Sequence, residues 1–255
     1  TAAFAAIGAT APARRVAASP LALAPFRAPV LLAGTLAEPV PFLERGLHFE
    51  AHPLRWHKTG FYMDQRENRA RLEGWSQGAK VLNVFSYTGG FSLAAARGGA
   101  REVTSLDLSA PALAQARRHF ELNREEPGVR GCRHRTLESD AFAGMEGLAR
   151  EGARFQVVVV DPPSFAKERS QAPGALAQYG RLTGLALRLL EPGGLLVQAS
   201  CSSRVAAEDF FQRIHQVARD ARRPLTEVER TGHPLDHPVR WPESAYLKAL
   251  WARVP

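Results

Sequence analysis

Cys201 sits in S-C-S-S, where the apolar run GLLVQAS (194–200) gives way to small polar residues, and it is one of only two cysteines in 255 residues. A second cluster with chemical potential lies upstream, in V-V-V-V-D-P-P-S-F, where Asp161 ends an apolar run and Pro162, Pro163, Ser164 and Phe165 follow. Two prolines stiffen that turn. They would fix the Asp161 carboxylate and the Phe165 ring, a flat surface beside a hydrogen-bonding group that suits an extruded nucleobase. A thiol next to such a receptor suggests covalent catalysis. Carbon 5 of cytosine or uracil is a poor nucleophile toward a sulfonium methyl group, but addition of a thiolate at C6 gives C5 enamine character. An ordinary cysteine thiol titrates near pH ~8.5, so basic neighbours would favour the thiolate. Cys132, in V-R-G-C-R-H-R, has no comparable setting. Its flanking arginines, Arg130, Arg133 and Arg135, read equally as a solvated patch or as phosphate contacts.

A third cluster suggests a methyl donor. In V-L-N-V-F-S-Y-T-G-G-F-S, Gly89 and Gly90 stand between a strand and a helix, where the absence of a Cβ lets backbone approach a ligand. Asp107 ends the next apolar run, where a nucleotide-binding α/β sheet carries an acid for ribose hydroxyls. The phosphate-binding pattern G-x-G-x-x-G is missing, which disfavours dinucleotides and favours S-adenosylmethionine, a ligand with ribose and adenine but no phosphate. Asp140, in E-S-D-A-F, is then positioned to meet the adenine amino group. Taken singly, these residues also read as a tight turn, a helix-capping acid and a solvated loop acid.

The elements that must position these groups alternate. Buried strands are expected over 79–85, 102–107, 155–161 and 194–200, and helices over 109–123 and 175–190, a β–α alternation that predicts a doubly wound Rossmann-like α/β sheet. L-T-E-V-E-R-T-G and A-Y-L-K-A-L-W-A-R-V read as two further strands, an antiparallel pair at one edge. Before the sheet, two extended stretches around Arg45-Gly46 predict a small β-hairpin subdomain over 40–63. Asp64 with Glu67 has the spacing of a capping box opening a helix. The methyltransferase-like module runs over 64–255. Residues 1–39 contain a single acid and many Ala and Pro, and read as an irregular arm.

Composition sets the class. The 33 Lys and Arg against 25 Asp and Glu give a net charge of +8, favouring a polyanionic partner such as RNA. No stretch has the ~18 consecutive apolar residues of a membrane helix. Two cysteines without metal-ligand spacing suit a reducing, cytoplasmic setting and no bound metal.

Together, KTGFYMDQRENR (58–69), NVFSYTGGFSLAAARGGAREVTSLDLSAPAL (83–113), DPPSFAK (161–167), SCSS (200–203), DHPV (236–239) and PESAYLKAL (242–250) resemble the RlmI-type class I S-adenosylmethionine-dependent methyltransferases, which make 5-methylcytosine in 23S ribosomal RNA. The resemblance covers about 40–254. It implies that Gln65, Arg66, Tyr87, Thr88 and Gly89 line the methyl-donor pocket. It further implies Asp107 at the ribose, Asp140 near adenine, Asp161 beside methionine and target base with Pro162 and Phe165, and Cys201 as nucleophile. DHPV is a signature with no evident role beyond shaping the pocket. Members usually begin with an RNA-binding PUA domain, and residues 1–39 are too short and irregular to form one. Two other readings share most of these residues: methylation of a base nitrogen, which needs no thiol, and a non-catalytic RNA-binding or ribosome-assembly protein that keeps the fold.

Overall fold

The computed structural model describes residues 34–54, 60–241 and 244–255, so the expected arm lies outside the described residues up to position 33. The chain divides into two units, residues 1–63 and 64–255. In the first, β1 (Val40–Glu44) and β2 (Leu47–Ala51) pair antiparallel in the expected hairpin. Arg45 and Gly46, with φ of 51° and 86°, supply the two left-handed residues that a two-residue hairpin turn requires. Phe42, Phe49 and Phe61 pack together with ring centroids 4.7–5.5 Å apart.

The second unit is a seven-stranded sheet. Five strands are parallel: β3 (Lys80–Val84), β4 (Glu102–Asp107), β5 (Arg133–Glu138), β6 (Phe155–Val160) and β7 (Leu190–Ser200). β8 (Thr226–Thr231) and β9 (Lys248–Arg253) add the antiparallel pair, with β8 at the edge and β9 against β7. The spatial order β5-β4-β3-β6-β7-β9-β8 reverses direction between β3 and β6. In a doubly wound sheet the ligand crevice opens there, beyond the carboxyl ends of the strands.

Strand and helix patterns explain the layering. In β6 successive valines face opposite sides: Val158 and Val160 join one buried cluster, Val157 and Val159 the other. The first cluster packs under α5 (Ala141–Arg150), α6 (Ala172–Leu189) and α7 (Ala207–Asp220); the second packs under α1 (Arg66–Glu73) and α2 (Gly90–Arg97). The remaining helices are α3 (Ala110–Leu122) and the short α4 (Pro127–Gly131). Ser109 caps α3 through the backbone N–H of Ala112, as an N-cap serine should.

One local expectation fails. Asp64 and Glu67 do not form a capping box, because Asp64 lies in a 3-10 turn and α1 starts at Arg66, with Gln65 at the cap and no side-chain cap bond. Tyr246 captures the Asp64 carboxylate instead, donating its hydroxyl at 3.0 Å. Among the described residues, no helix is long and apolar enough to cross a membrane.

Candidate functional site

The carboxyl edges of β3, β4, β6 and β7 bring most of the expected residues to one side of the sheet. The turn after β3 is built from left-handed backbone: Phe85, Tyr87 and Gly89 have φ of 59°, 47° and 79°. Two of the three are aromatic residues in a conformation costing roughly 1–3 kcal/mol each, strain of the kind that surrounding structure must hold in place. The holding contacts are visible. Asp107, ending β4, accepts the Tyr87 N–H at 2.7 Å on one carboxylate oxygen and the Ser109 N–H at 2.9 Å on the other. His119 of α3, fully buried, bonds through Nδ1 to the Thr88 carbonyl at 2.8 Å, which makes Nδ1 the donor, while Nε2 faces the Gln115 amide at 3.1 Å. A Cβ on Gly89 would lie 2.8 Å from Ala116 Cβ, so α3 packs directly on this turn.

This turn suits a ligand on two counts. The Ser86 hydroxyl is buried without a hydrogen-bond partner among the described residues. The Asp107 oxygens, each holding one backbone N–H, keep lone pairs for ribose hydroxyls. Asp140, beyond β5, is exposed and caps α5, its Oδ1 accepting from Phe142 N and Ala143 N at 3.0 and 3.1 Å. Its expected place beside adenine is compatible with this cap, which uses one oxygen.

Asp161 follows β6 at the reversal point. Its Oδ1 accepts from Gln65 Nε2 at 2.9 Å, and this bond ends a chain of buried and half-buried donors. Trp251 Nε1 donates to Thr231 Oγ1, Thr231 Oγ1 to Asn68 Oδ1, and Asn68 Nδ2 to Gln65 Oε1, at 3.2, 2.7 and 2.6 Å. The chain fixes which end of the Gln65 amide faces Asp161. Sequence reading missed Asn68, Thr231 and Trp251; the available signal was Asn68 alone, a polar residue three places from Gln65 on a helix otherwise rich in charge. Arg66 turns another way and pairs with Asp236 at 2.8 Å. This pair ties the D-H-P-V segment to the start of α1: burial works to raise the Asp236 pKa, yet the bonds from His237 and Arg66 hold it below the usual carboxylate range.

Cys201 comes directly after β7, half-buried, with its Sγ 3.8 Å from the Pro162 carbonyl oxygen. The serines around it are structural. Ser200 Oγ shares a hydrogen bond with the Tyr179 hydroxyl at 2.9 Å, and Ser202 Oγ donates to the Ala166 carbonyl at 3.3 Å, tying the thiol segment to the loop after β6. Phe165 packs inward against Tyr179 and Phe85, ring centroids 5.1 and 6.5 Å away, while Pro162 is buried. Burial pushes the Tyr179 phenol up to about 12, with Cys201 and Asp161 both near it.

Cys132 stands apart. Burial and the nearby Glu102 push its thiol up to about 11, the behaviour of an inert packing residue. Two of its flanking arginines have a structural partner: Arg133 and Arg135 lie 3.3 and 3.8 Å from the Glu102 carboxylate, at the amino edge of the sheet and opposite the thiol.

Residues 9–253 match the S-adenosylmethionine-dependent methyltransferase family. The chain is 46% identical over 222 residues to a ribosomal RNA large subunit methyltransferase of Deinococcus radiodurans, covering 87% of this chain and 53% of the relative. It is 40% identical over 227 residues to ribosomal RNA large subunit methyltransferase I of Shewanella denitrificans, covering 88% and 56%. The chain thus spans about half the length of the curated relatives it matches. Among solved structures, SMU.776 complexed with SAH superposes with a TM-score of 0.76 at 28% identity, over 88% of this chain and 58% of that one.

Proposed function

This chain belongs to the S-adenosylmethionine-dependent methyltransferases, and from that premise we propose that it methylates carbon 5 of a cytosine in large-subunit ribosomal RNA, with Cys201 as the nucleophile. The observation that carries the reading is the 3.8 Å approach of Cys201 Sγ to the Pro162 carbonyl, which joins the thiol to the D-P-P-S-F loop. The names of the two ribosomal RNA methyltransferases support RNA as the substrate, and a net charge of +8 suits it. RNA of this kind implies a cytoplasmic setting.

S-adenosylmethionine supplies an electrophilic methyl group when bound, its sulfonium sulfur taking the electrons of the S–CH3 bond and leaving as a neutral thioether. Gln65, Arg66, Tyr87, Thr88 and Gly89 would line its pocket, Asp107 would accept from its ribose hydroxyls and Asp140 from its adenine amino group. Asp161, steadied by Gln65, would serve donor and base, and Pro162 and Phe165 would shape the wall on the base's side. The Cys201 thiolate adds to C6 of the cytosine, forming a carbon–sulfur bond and pushing electron density onto C5. After C5 is methylated, its proton leaves to a base, the electrons re-form the C5–C6 double bond, and the Cys201 thiolate departs.

The test is incubation of ribosomal RNA with labelled S-adenosylmethionine, comparing the parent with Cys201→Ala and Cys201→Ser and mapping the product base. The expected result is 5-methylcytosine with the parent and at least a ~100-fold loss in both variants, the scale of removing a covalent catalyst. Undiminished activity in Cys201→Ala, or a nitrogen-methylated base, overturns the reading. Donor binding with no transfer to any RNA points instead to a non-catalytic RNA-binding protein.

A further inference from the structure

We propose that Lys248 is a positioning residue for Cys201, its buried ammonium holding the backbone that carries the thiol and biasing that thiol toward its thiolate. The catalytic meaning of this rests on the role given to Cys201 above. Lys248 opens β9 and lies opposite Ser200 in the antiparallel ladder, one residue before Cys201. Its side chain is buried, with the whole residue only 5% exposed, where an ammonium needs acceptors for its protons. It finds three carbonyls, donating to Ser202, to Val205 at 2.8 Å and to Tyr246 at 3.3 Å. Ser202 and Val205 bracket the turn that leaves Cys201, so one ammonium ties down both ends of that turn.

All three partners are neutral, so the positive charge is not cancelled by the groups that hold it. Burial pulls the Lys248 pKa down to about 8, and Cys201 acts in the opposite direction. Two groups that favour each other's charged forms do so reciprocally, so the same ammonium stabilises the thiolate. The other groups facing this region would work against it. Tyr179 of α6 and Tyr246, ahead of β9, are phenols that burial keeps protonated, Asp161 lies near Tyr179, and Asp64 accepts from Tyr246. Where these carry charge it is negative, which disfavours a thiolate. His233, which meets the Tyr246 ring at 4.5 Å, is the exception, but burial lowers its pKa, with His237 and Lys248 acting the same way against Asp64, so Lys248 supplies the opposing sign.

The experiment uses the full chain with Cys132→Ser, leaving Cys201 as its sole cysteine, and follows iodoacetamide alkylation against pH. With Lys248→Met the expected profile moves to higher pH, with alkylation at pH 7 falling about tenfold, whereas Lys248→Arg stays within about threefold of the parent; one unit of thiol pKa corresponds to tenfold in thiolate. Lys248→Gln, which keeps a donor for one carbonyl, repeats the comparison if the methionine variant does not fold. A reciprocal measurement leaves the lysine in place: by NMR, the Lys248 ammonium should titrate at lower pH in Cys201→Ala than in the parent. An unmoved alkylation profile in folded Lys248→Met or Lys248→Gln, or an unmoved Lys248 titration in Cys201→Ala, overturns the proposal. Neither readout involves methyl transfer, so the role of Cys201 in the reaction can fail while this coupling stands.

Discussion

Cys201 and Asp107 illustrate two ways in which a side chain can serve a site. In the proposed reaction Cys201 acts through its own sulfur and depends on neighbours for its charge state. Asp107 already works in the resting fold, holding the strained Tyr87 and the start of α3 through its two oxygens. In the proposed site, replacing it would remove a ligand contact and loosen the turn together. Asp107→Asn should weaken S-adenosylmethionine binding by about tenfold or more, because hydrogen bonds to charged groups are worth about 1.5–3 kcal/mol. Titration calorimetry with the purified variant measures this, and unchanged affinity would remove Asp107 from the ribose site. Gly89→Ala is a sharper test of packing. The residue has φ +79° and its Cβ would strike Ala116 Cβ at 2.8 Å, so a lowered melting temperature is expected, from a loss of about 1–3 kcal/mol.

At the scale of elements, two hydrogen-bonded chains run across the sheet. The first links β9, β8 and α1 to Asp161 through Trp251, Thr231, Asn68 and Gln65. Thr231→Val removes a middle link far from the reacting atoms. The expected outcome is a kcat several-fold lower with KM for the donor little changed, read from steady-state methyl transfer; equal loss in both would mean simple loosening of the fold. The second chain joins β3, α2, β4 and β5: Asn83 Nδ2 donates to Ser92 Oγ, which meets Ser105 Oγ, which meets His134 Nε2, at 2.9, 2.7 and 2.9 Å. His134 stacks on Phe120 at 3.7 Å, and burial, with Arg117 adding to it, lowers its pKa from 6.5 to about 4. Between those values the unfolded chain binds more protons than the folded one. This contribution to stability is therefore complete above about pH 6.5 and lost as the pH falls toward 4. His134→Gln should flatten the fall in melting temperature across that window, as followed by circular dichroism.

For the molecule as a whole, charge would govern the encounter with the proposed RNA substrate. A net charge of +8 predicts affinity that falls linearly in log–log form with salt, with a slope set by the number of phosphates neutralised. Binding of a ribosomal RNA fragment at rising salt measures it, and a flat response would argue against a phosphate-dominated contact. Much of the architecture was legible in advance because it rests on local patterns. The paired valines of β6, the left-handed pair Arg45-Gly46 and the glycine turn after β3 each reflect a constraint on neighbouring residues, and a single strand or turn expresses it. The acids at strand ends followed from the same alternation, since a sheet's carboxyl edge is fixed by strand direction. What the amino-acid order could not disclose were the partners. Asp64 met Tyr246 rather than its own helix, Arg66 met Asp236, and Gln65 met Asp161, across separations of 182, 170 and 96 residues. Lys248 reads in sequence as one charge in an apolar strand, and only the antiparallel pairing of β9 with β7 brings it beside Ser200 and the thiol segment. Composition and periodicity determined which elements form and at which edge chemistry gathers; the tertiary structure alone decided which polar groups meet there, because contacts between distant residues depend on strand order and register.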